Sequence, residues 1–341
     1  MPNEFLRECL TRLANRENLT RAESSRLLES LLDHDATDAQ IAAILVALSS
    51  KGETFDELAG MASALRARAV RLMPTHECFI DTAGTGSSPA KTFNISTAAA
   101  FVIAGAGLPV AKHGNRAASS RSGSADVLTA LGVNVSAVPQ VSEQCLNGLG
   151  ICFMFAPLYH GATARVAGVR RELGIHTTFN LLGPLSNPAG APRQIIGVWR
   201  RELAELMARA LSELGTKRAW VVHGSDGLDE ITVVGKTFVA EAHEGEVRIF
   251  EIAPADFGLQ QGSLAHLRGG DAAANAAIIR AVLVGQRRDA ARSLVVINAA
   301  AALFVGGRSD DLKTASNLAE ESIDSGAALN KLERLIRDTN E

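Results

Sequence analysis

The sequence predicts an α/β protein with a small all-helical domain and a large α/β domain built on a mostly parallel central sheet. Proline, which disrupts helix interiors, is absent between Pro2 and Pro74 and again after Pro254, so both ends can form long helices. From Cys78 onward, short apolar runs alternate with helical stretches, the pattern of a parallel sheet covered on both faces. Two loops rich in Gly, Ser, Thr and Asn each follow an apolar run and precede a helix-like run.

The N-terminal part predicts four helices, near residues 3–16, 20–33, 38–50 and 54–70. Thr20 with Glu23, and Thr54 with Glu57, have the spacing of capping boxes ahead of periodic apolar patterns. A small bundle of this kind packs on the rest of the chain or on a second copy of itself.

The apolar runs CFIDTAG, LPVAK, ICFMFAP, RQIIGVW and RAWVVHG predict buried strands. The run TFVAEAHEGEVRIFEI contains two β-rich segments separated by a glycine, which predicts an antiparallel ribbon or sheet edge. We therefore expect a small helical domain over residues 1–74, joined by a helical segment at about 161–180. The large domain then comprises residues 75–160 and 181–341.

Composition limits the classes of partner and compartment. The formal net charge of −3 over 341 residues argues against the broad basic surface that nucleic-acid binding needs. Cys9, Cys78, Cys145 and Cys152 show no CxxC pairing and predict free thiols in a reducing compartment. The start has no apolar signal region, and the longest apolar runs, such as 294–305, are too short to span a bilayer. We expect a cytoplasmic protein without a membrane or nucleic-acid partner.

The first loop reads Gly84-Thr85-Gly86-Ser87-Ser88 and is followed by Thr92 and the helix-opening run Asn94-Ile95-Ser96-Thr97. Glycines let a backbone approach a phosphate closely, and hydroxyl groups add donors and possible metal ligands. A helix N-terminus behind such a loop attracts anions. The arrangement predicts one side of a phosphate site.

The second loop reads Lys112-His113-Gly114-Asn115-Arg116, with Ser119, Ser120 and Ser124 beyond it. Lys112 and Arg116 supply positive charge for a phosphate, and Asn115 can both donate and accept a hydrogen bond. Two such loops within 46 residues suggest a ligand with more than one phosphate. The alternative is a well-capped turn with a few exposed charges.

A third motif, HGSDGLDEI, follows the apolar run AWVV and ends in the adjacent carboxylates Asp229 and Glu230. Carboxylates beside phosphate loops are suited to Mg²⁺, which commonly shares its shell with substrate phosphates. On its own, such a pair is more often part of a solvated loop.

The segment Gly161–Leu173 predicts a helix with Ala162, Val166, Val169 and Leu173 on one face. Arg171 then points to the opposite side, into solvent. Arg170 lies just beside the apolar stripe, from which it can reach into a cleft or form an interdomain salt bridge.

No nucleophile stands out in the sequence. The glycine loops lack the spacing of a P-loop and of a full dinucleotide fingerprint, and isolated histidines such as His113 and His160 are as often structural. Phosphate loops with a metal and no nucleophile favour group transfer by positioning and charge stabilisation, without a dedicated catalytic side chain.

Several long motifs carry a family resemblance over nearly the full length. They are TFNISTAAAF, VAKHGNRAASSRSGSADVLTALG, VRRELGIHTTFNLLGPLSNPAG, HGSDGLDEI, GGDAAANAAIIRAVL and INAAAAL. In this order they resemble the anthranilate phosphoribosyltransferases of tryptophan biosynthesis. The resemblance implies a fold shared with pyrimidine nucleoside phosphorylases and a homodimer joined through the helical domains. It also implies a reaction of anthranilate with phosphoribosyl pyrophosphate (PRPP) and Mg²⁺, giving N-(5-phosphoribosyl)anthranilate and pyrophosphate.

The resemblance also implies roles for individual residues. The positions for PRPP are Gly84, Thr85, Gly86, Ser87, Ser88, Thr92, Asn94, Ser96, Thr97, Lys112, His113, Gly114, Asn115, Arg116, Ala117, Ala118, Ser119, Ser120 and Ser124. The positions for anthranilate are Gly84, His113, Asn115 and Arg170. The magnesium positions are Ser96, Asp229 and Glu230.

The chain departs from the family pattern at two places. Ser87-Ser88 stand where the family commonly has Gly-Asp, and Tyr159-His160-Gly161 stand where two histidines and a proline are common. Two alternatives remain at this point: a pyrimidine nucleoside phosphorylase of the same fold, and a non-catalytic paralogue that binds nucleic acid.

Overall fold

A computed structural model describes residues 3–86, 92–117, 121–263 and 267–341 of the protein. Within these ranges the sheet has seven strands: β1 (Ile80–Gly84), β2 (Val110–Gly114), β3 (Ile151–Phe155), β4 (Arg193–Gly197), β5 (Arg218–Gly224), β6 (Thr237–His243) and β7 (Glu246–Ile252). Their order is β3-β2-β1-β4-β5-β6-β7. The first five pair in parallel, whereas β6 and β7 form the antiparallel edge expected from the glycine-split run.

The described helices surround this sheet. They are α1 (Glu4–Ala14), α2 (Arg21–Leu32), α3 (Asp38–Lys51), α4 (Phe55–Ala67), α5 (Ile95–Gly105), α6 (Ser124–Leu131), α7 (Pro139–Gln144), α8 (Ala156–Tyr159), α9 (Ala164–Leu173), α10 (Thr178–Leu185), α11 (Glu202–Glu213), α12 (Ala272–Leu283), α13 (Ala290–Val305), α14 (Leu312–Asp324) and α15 (Ala327–Asn340). A helical bundle followed by a mostly parallel sheet confirms the predicted fold class. In the described part of the chain, no helix is both long and apolar enough to cross a membrane.

Two of the N-terminal helices, α2 and α4, begin at the caps that the sequence predicts. The boxes Thr20–Glu23 and Thr54–Glu57 are both formed, with the threonine side chain accepting from the N3 backbone and the glutamate accepting in return. A third box joins Thr37 to Gln40 at the start of α3. The bundle is thus specified locally, at each helix start.

Two hydrophobic cores lie on opposite faces of the sheet, because successive strand residues point to opposite sides. Trp220 and Val222 pack into the core formed with α5, α12, α13, α14 and α15. Ala219 and Val221 pack into the other core, which includes α10, α11 and the apolar faces of α1 to α4. The helical bundle and one face of the sheet therefore share a single core.

Arginines of the bundle bind the ends of two helices of the large unit. Arg66 donates from Nε to the carbonyl of Leu185 at 2.7 Å and from Nη1 to that of Leu214 at 3.4 Å, at the C-termini of α10 and α11. Arg21 donates to the carbonyl of Glu213 at 3.1 Å. Helix C-termini present unsatisfied carbonyls and a partial negative charge, so cations are stabilising there.

The predicted helix Gly161–Leu173 consists of a 3₁₀ turn, Gly161–Thr163, followed by α9. Val166 and Val169 are buried, and α9 packs on α2 and α3 of the bundle. Gly174 ends the helix with a φ of 61°, in the left-handed region that favours glycine. The joining role of the segment at about 161–180 and the residue boundaries of the two domains stay predictions.

Candidate active site

The site lies at the carboxyl ends of the parallel strands. Strand β1 has β2 on one side and β4 on the other, so the strand order reverses direction at β1. Ligands in open α/β sheets bind in the crevice at such a switch point. Both predicted glycine loops follow strands that end at this edge, β1 at Gly84 and β2 at Gly114.

The first loop is fixed to the neighbouring strand and touches the acidic pair. Thr85 donates from its backbone and its hydroxyl to the carbonyl of Gly197, at 2.9 and 3.1 Å. The backbone N–H of Gly86 donates to the carboxylate of Asp229. A Cβ at Gly84 would lie 3.2 Å from Asp229 Oδ2, which shows how closely the bare backbone approaches that carboxylate. Ser87 and Ser88 lie outside the described residues.

The start of α5 lies beside the same carboxylates. The backbone N–H of Ser96 donates to Glu230, and Ser96 Oγ accepts from Lys112 Nζ at 3.2 Å. Thr97, expected at the phosphate site, is only 1% exposed, and its hydroxyl has no partner among the described residues. Thr97 therefore lies in the interior behind the loop.

Asn94 and Thr92 are supported by a later segment of the chain. Asn275, on α12 and buried, donates to Asn94 Oδ1 at 3.1 Å, and Thr92 forms an isolated β-bridge with Arg268. A Cβ at Gly269 would lie 2.3 Å from the carbonyl of Thr92. The segment GGDAAANAA therefore braces the first half of the site.

Asp229 and Glu230 lie side by side, half-buried, in the loop after β5. Burial and the neighbouring charge of Asp229 raise the pKa of Glu230 to about 8, although Lys112 opposes the shift. Burial likewise raises the pKa of Asp229. Within the described part of the chain neither carboxylate has an ion pair. A bound cation would stabilise the ionised forms of both carboxyl groups and so offset the repulsion between them.

The donor set suits a hard cation. The described residues contain no group of three or more His, Cys, Asp or Glu side chains that could hold a metal ion, so a cation here has two carboxylates and the Ser96 hydroxyl. Mg²⁺ is usually held by one or two carboxylates together with waters and substrate phosphates. The residues present therefore fit Mg²⁺.

The loop that carries the acidic pair is held from behind by Asn298 of α13. Asn298 accepts from the backbone N–H of Ile231 at 3.0 Å and donates to the carbonyl of Ile231 at 2.9 Å. Gly197 leaves room for the same loop, since a Cβ there would lie 1.6 Å from the carbonyl oxygen of Asp229.

Lys112 and His113 of the second loop point to opposite sides of the sheet. Lys112, 4% exposed, donates from Nζ to the carbonyl of Thr82 and to Ser96 on the α5 side. Burial lowers the pKa of Lys112, against the opposing charges of Asp81 and Glu230. The ring of His113 faces α10, where Nε2 lies 2.9 Å from the carbonyl of Gly183. Both ring nitrogens of His113 thus have protein partners, the second being Asp81.

The outer part of the second loop is closed by Asp126. Asp126 Oδ2 accepts from the backbone N–H groups of Ala117 and Gly123, each at 2.9 Å, and its Oδ1 accepts from Arg116 Nη1 at 3.0 Å. Asn115 and Arg116 are exposed at the rim, and Ser124 donates to the carbonyl of Asn115 at 3.4 Å. Ala118, Ser119 and Ser120 lie outside the described residues.

Arg170 is half-buried on α9 and its guanidinium lies 5.1 Å from the centre of the Phe179 ring. Burial lowers the pKa of Arg170. Among the described residues it has neither a carboxylate partner nor a hydrogen-bond acceptor. The described structure therefore does not contain the interdomain salt bridge that was the alternative for Arg170. Arg171 is exposed, as the helical pattern predicts. Tyr159 and His160, at the second departure from the family pattern, are both buried.

Sequence reasoning gave no role to Asp81, Asp126, Asn275 or Asn298, which hold the site from behind. Asn275 and Asn298 are each a single amide within an alanine-rich helical run, and a polar side chain in such a run signals a specific hydrogen-bond partner. This signal does not indicate that the partners are Asn94 and Ile231.

Comparison with known proteins agrees with this architecture. Residues 7–69 match the family model described as "Glycosyl transferase family, helical bundle domain", and residues 76–329 match "Glycosyl transferase family, a/b domain". The anthranilate phosphoribosyltransferase of Moorella thermoacetica is 50% identical over 332 residues, which is 97% of this chain and 98% of that protein.

Solved structures agree as well. The crystal structure of anthranilate phosphoribosyltransferase from Thermus thermophilus has a TM-score of 0.92 at 39% identity, covering 98% of this chain and 99% of that one. The Saccharomyces cerevisiae enzyme in complex with PRPP and Mg has a TM-score of 0.90 at 28% identity, covering 99% and 98%.

The fold is that of the glycosyl transferase family named by both domain models. Within that class, the chain belongs to the anthranilate phosphoribosyltransferase family. The two alternatives, a pyrimidine nucleoside phosphorylase and a nucleic-acid-binding paralogue, receive no support.

Proposed function

We propose that the crevice at the carboxyl ends of β1, β2 and β4 is where this chain carries out the reaction of its family. That reaction transfers the phosphoribosyl group of PRPP to the amine of anthranilate, giving N-(5-phosphoribosyl)anthranilate and pyrophosphate in tryptophan biosynthesis. The observation that carries the proposal is the acidic pair Asp229-Glu230, half-buried without a cationic partner among the described residues and touching both Gly86 and Ser96.

PRPP binds across the two glycine loops in this proposal. The first loop offers bare backbone at Gly84 and Gly86 and the N-terminus of α5. The second offers Lys112 beneath the cleft and Asn115 and Arg116 at its rim. The family pattern alone assigns five further residues to PRPP binding: Ser87, Ser88, Ala118, Ser119 and Ser120.

Mg²⁺ is the cation proposed for Asp229, Glu230 and Ser96. When bound, it supplies charge neutralisation and orientation for the leaving pyrophosphate. The chain's own part is to hold the two carboxylates together, through Asn298 behind the loop and the N–H groups of Gly86 and Ser96 in front.

Anthranilate is proposed to bind between Asn115 and Arg170. Arg170 is a half-buried guanidinium without an acceptor among the described residues, and a guanidinium matches a carboxylate in geometry and charge. The amine of anthranilate is already nucleophilic, so positioning beside the ribose replaces base catalysis.

The proposal also covers assembly and location. We assign the protein to the cytoplasm, in line with four free cysteines, and to a homodimer joined through the helical bundle. Val46 of α3 is 38% exposed, an apolar side chain on the bundle surface that a second copy could cover. No nucleic-acid or membrane partner is expected at a net charge of −3.

Loss of anthranilate fluorescence on mixing with PRPP and Mg²⁺ tests the reaction directly. We expect turnover that needs all three components and stops when the metal is chelated. Turnover of a pyrimidine nucleoside with phosphate, and none with anthranilate, would instead identify the nucleoside phosphorylase alternative.

A further inference from the structure

A buried hydrogen-bond network lies under the second loop. Asp81 of β1 is fully buried, and its Oδ2 lies 2.5 Å from Nδ1 of His113. Its Oδ1 accepts from the backbone N–H of His113 at 3.3 Å. Asn187, 3% exposed, donates from Nδ2 to Asp81 Oδ2 at 2.7 Å and to the carbonyl of Ala111 at 2.8 Å.

The orientation of the Asn187 amide is determined by its partners. Its Nδ2 faces a carboxylate and a carbonyl, which only accept, while its Oδ1 accepts from the backbone N–H of Ala189 at 2.9 Å. Asp81 therefore receives hydrogen bonds from Asn187 and from the His113 backbone. Burial alone would raise the pKa of Asp81, but the charge and ring hydrogen bond of His113, the charge of Lys112 and the hydrogen bond from Asn187 outweigh it and leave the pKa below its usual range.

The protons on the His113 ring follow from the acceptors around it. Nε2 faces the carbonyl of Gly183 at 2.9 Å, and a carbonyl can only accept, so Nε2 carries a proton. Nδ1 lies 2.5 Å from Oδ2 of Asp81. Both oxygens of Asp81 already accept hydrogen bonds, Oδ2 from Asn187 and Oδ1 from the His113 backbone, as an ionised carboxylate does, so Nδ1 carries a proton as well. A ring with both nitrogens protonated is an imidazolium cation.

A second buried histidine has different surroundings. His160 has one acceptor, the carbonyl of Ser186 at 3.0 Å from Nε2, and its Nδ1 has no partner among the described residues. Burial, and then the charge of His113, lower the pKa of His160 to about 4. His160 is therefore neutral beside a charged His113.

We propose that Asp81 is a positioning residue that holds His113 as an imidazolium cation and, through it, fixes the start of the second loop. The strand leads from His113 directly into Gly114 and Asn115, so the same carboxylate sets both the direction of that loop and a positive charge beneath it. The loop above this charge is the one that the proposed function, on which the activity part of this inference rests, assigns to two anionic substrates.

Among the described residues, three charged or titratable groups lie near the pair besides Asp81 and His113 themselves. Lys112 adjoins His113 on its own strand and contributes to the field at Asp81. His160 approaches from the segment before α9. Cys152 of β3 lies near enough to Asp81 for the carboxylate to raise its pKa further, after burial. Lys112 is the one added cation, and it lies on the opposite side of the sheet.

Nitrogen-15 NMR of the histidine rings at neutral pH tests the assignment in the intact protein. We expect His113 to show two protonated nitrogens, and His160 to show the neutral ring with its proton on Nε2, as an internal reference in the same spectrum. A neutral His113 ring in the wild-type protein would overturn the proposal, whatever the activity of the enzyme.

Substitution then tests whether Asp81 acts through His113. Asp81→Asn keeps the size of the side chain but removes its charge, so we expect His113 to lose one ring proton and kcat/KM to fall by roughly 10- to 100-fold through misplacement of the loop. In a double-mutant cycle with His113→Gln, the second substitution should add little to the first. Full additivity of the two losses, or an unchanged His113 spectrum in Asp81→Asn, would contradict the proposal.

If Asp81→Asn fails to fold, the wild-type spectrum still decides the protonation state. The proposed function fails separately, through an absence of wild-type turnover with anthranilate, PRPP and Mg²⁺.

Discussion

The protein contains two clusters of buried lysine and acidic side chains, and they are built in opposite ways. In the helical bundle, Lys51 donates to Glu57 at 2.9 Å, to the carbonyl of Gly52 at 2.8 Å and to Asn18 at 3.0 Å. Glu57 is unexposed and also accepts from the backbone N–H groups of Leu19 and Thr54. Every charge in this cluster has a partner.

The cleft has the opposite arrangement. Lys112 donates to neutral oxygens of Thr82 and Ser96 and lies beyond ion-pair distance of Glu230, while Asp229 and Glu230 repel each other. Buried ions that are matched stabilise the fold only if both remain, whereas unmatched ones favour an incoming charge. The bundle's cluster is therefore structural, and the cleft's cluster is prepared for a ligand.

Removing one member of the matched cluster has the largest expected effect. Glu57→Ala leaves Lys51 buried without its partner, so we expect the free energy of unfolding to fall by about 3–5 kcal/mol. Urea denaturation measures the change. Glu8→Ala, at an exposed position on α1, is the control and should change stability by less than about 0.5 kcal/mol. A Glu57→Ala protein as stable as this control would show that the cluster is not structural.

Neutralising the unmatched carboxylates should affect turnover and spare the fold. For the double variant Asp229→Asn, Glu230→Gln we expect Mg²⁺-stimulated turnover to fall by about 100-fold or more, because the cation loses its charged ligands. The free energy of unfolding should rise, because the repulsion is gone. Glu244→Gln, exposed in the β6–β7 turn, is the control. Normal metal dependence in the double variant would refute the assigned role.

Arg170 and Arg66 show the same contrast between a charge without a partner in the described structure and a charge that already has one. Arg170→Ala should raise the anthranilate KM by about 10-fold, since a hydrogen bond to a charged group contributes ~1.5–3 kcal/mol. Arg171→Ala, one residue further and exposed, should leave KM unchanged. Arg66→Ala should instead lower stability, because Arg66 already binds the carbonyls of Leu185 and Leu214. An unchanged KM in Arg170→Ala would remove Arg170 from the substrate site.

The unmatched carboxylates should also give the metal-free protein a pH dependence. The pKa of Glu230 rises from its ordinary value of 4.5 to about 8 on folding, so between these values the folded state binds the extra proton. Unfolding then releases that proton, and stability falls as pH increases through this window. Glu230→Gln cannot ionise, so its stability advantage over wild type should grow toward pH 8 in thermal melts. An advantage that is constant with pH would contradict the shift.

The sequence predicted what depends on local patterns. Capping boxes placed the starts of α2 and α4, and apolar runs placed all seven described strands, because each signal lies within a few residues. The glycine loops and Asp229-Glu230 were also found, and the fold brings them to one edge of the sheet. The helical pattern placed Arg170 beside a cleft, and the resemblance added its anthranilate role and the order of the motifs.

What the sequence did not reveal depends on contacts between distant segments. Asp81 contacts His113, which is 32 residues away in the sequence, and Asn298 forms hydrogen bonds with Ile231, which is 67 residues away. The residues next to Asp81 or Asn298 in the sequence do not indicate which distant residue each one contacts. The position of the His113 ring could not be predicted for the same reason. The resemblance placed His113 at both substrates, but successive strand residues point to opposite faces, so its ring lies against Gly183 of α10.

The core shared by the bundle and one face of the sheet has a consequence for engineering. Residues 7–69 and 76–329 match two separate domain models, which suggests modules that can be exchanged. Met207 and Leu211 of α11 are nevertheless buried in the same core as Leu27 and Leu58 of the bundle. A chain cut at the boundary between the two domain models would expose that apolar surface to water, so chimaeras of this enzyme must carry the bundle together with α10 and α11.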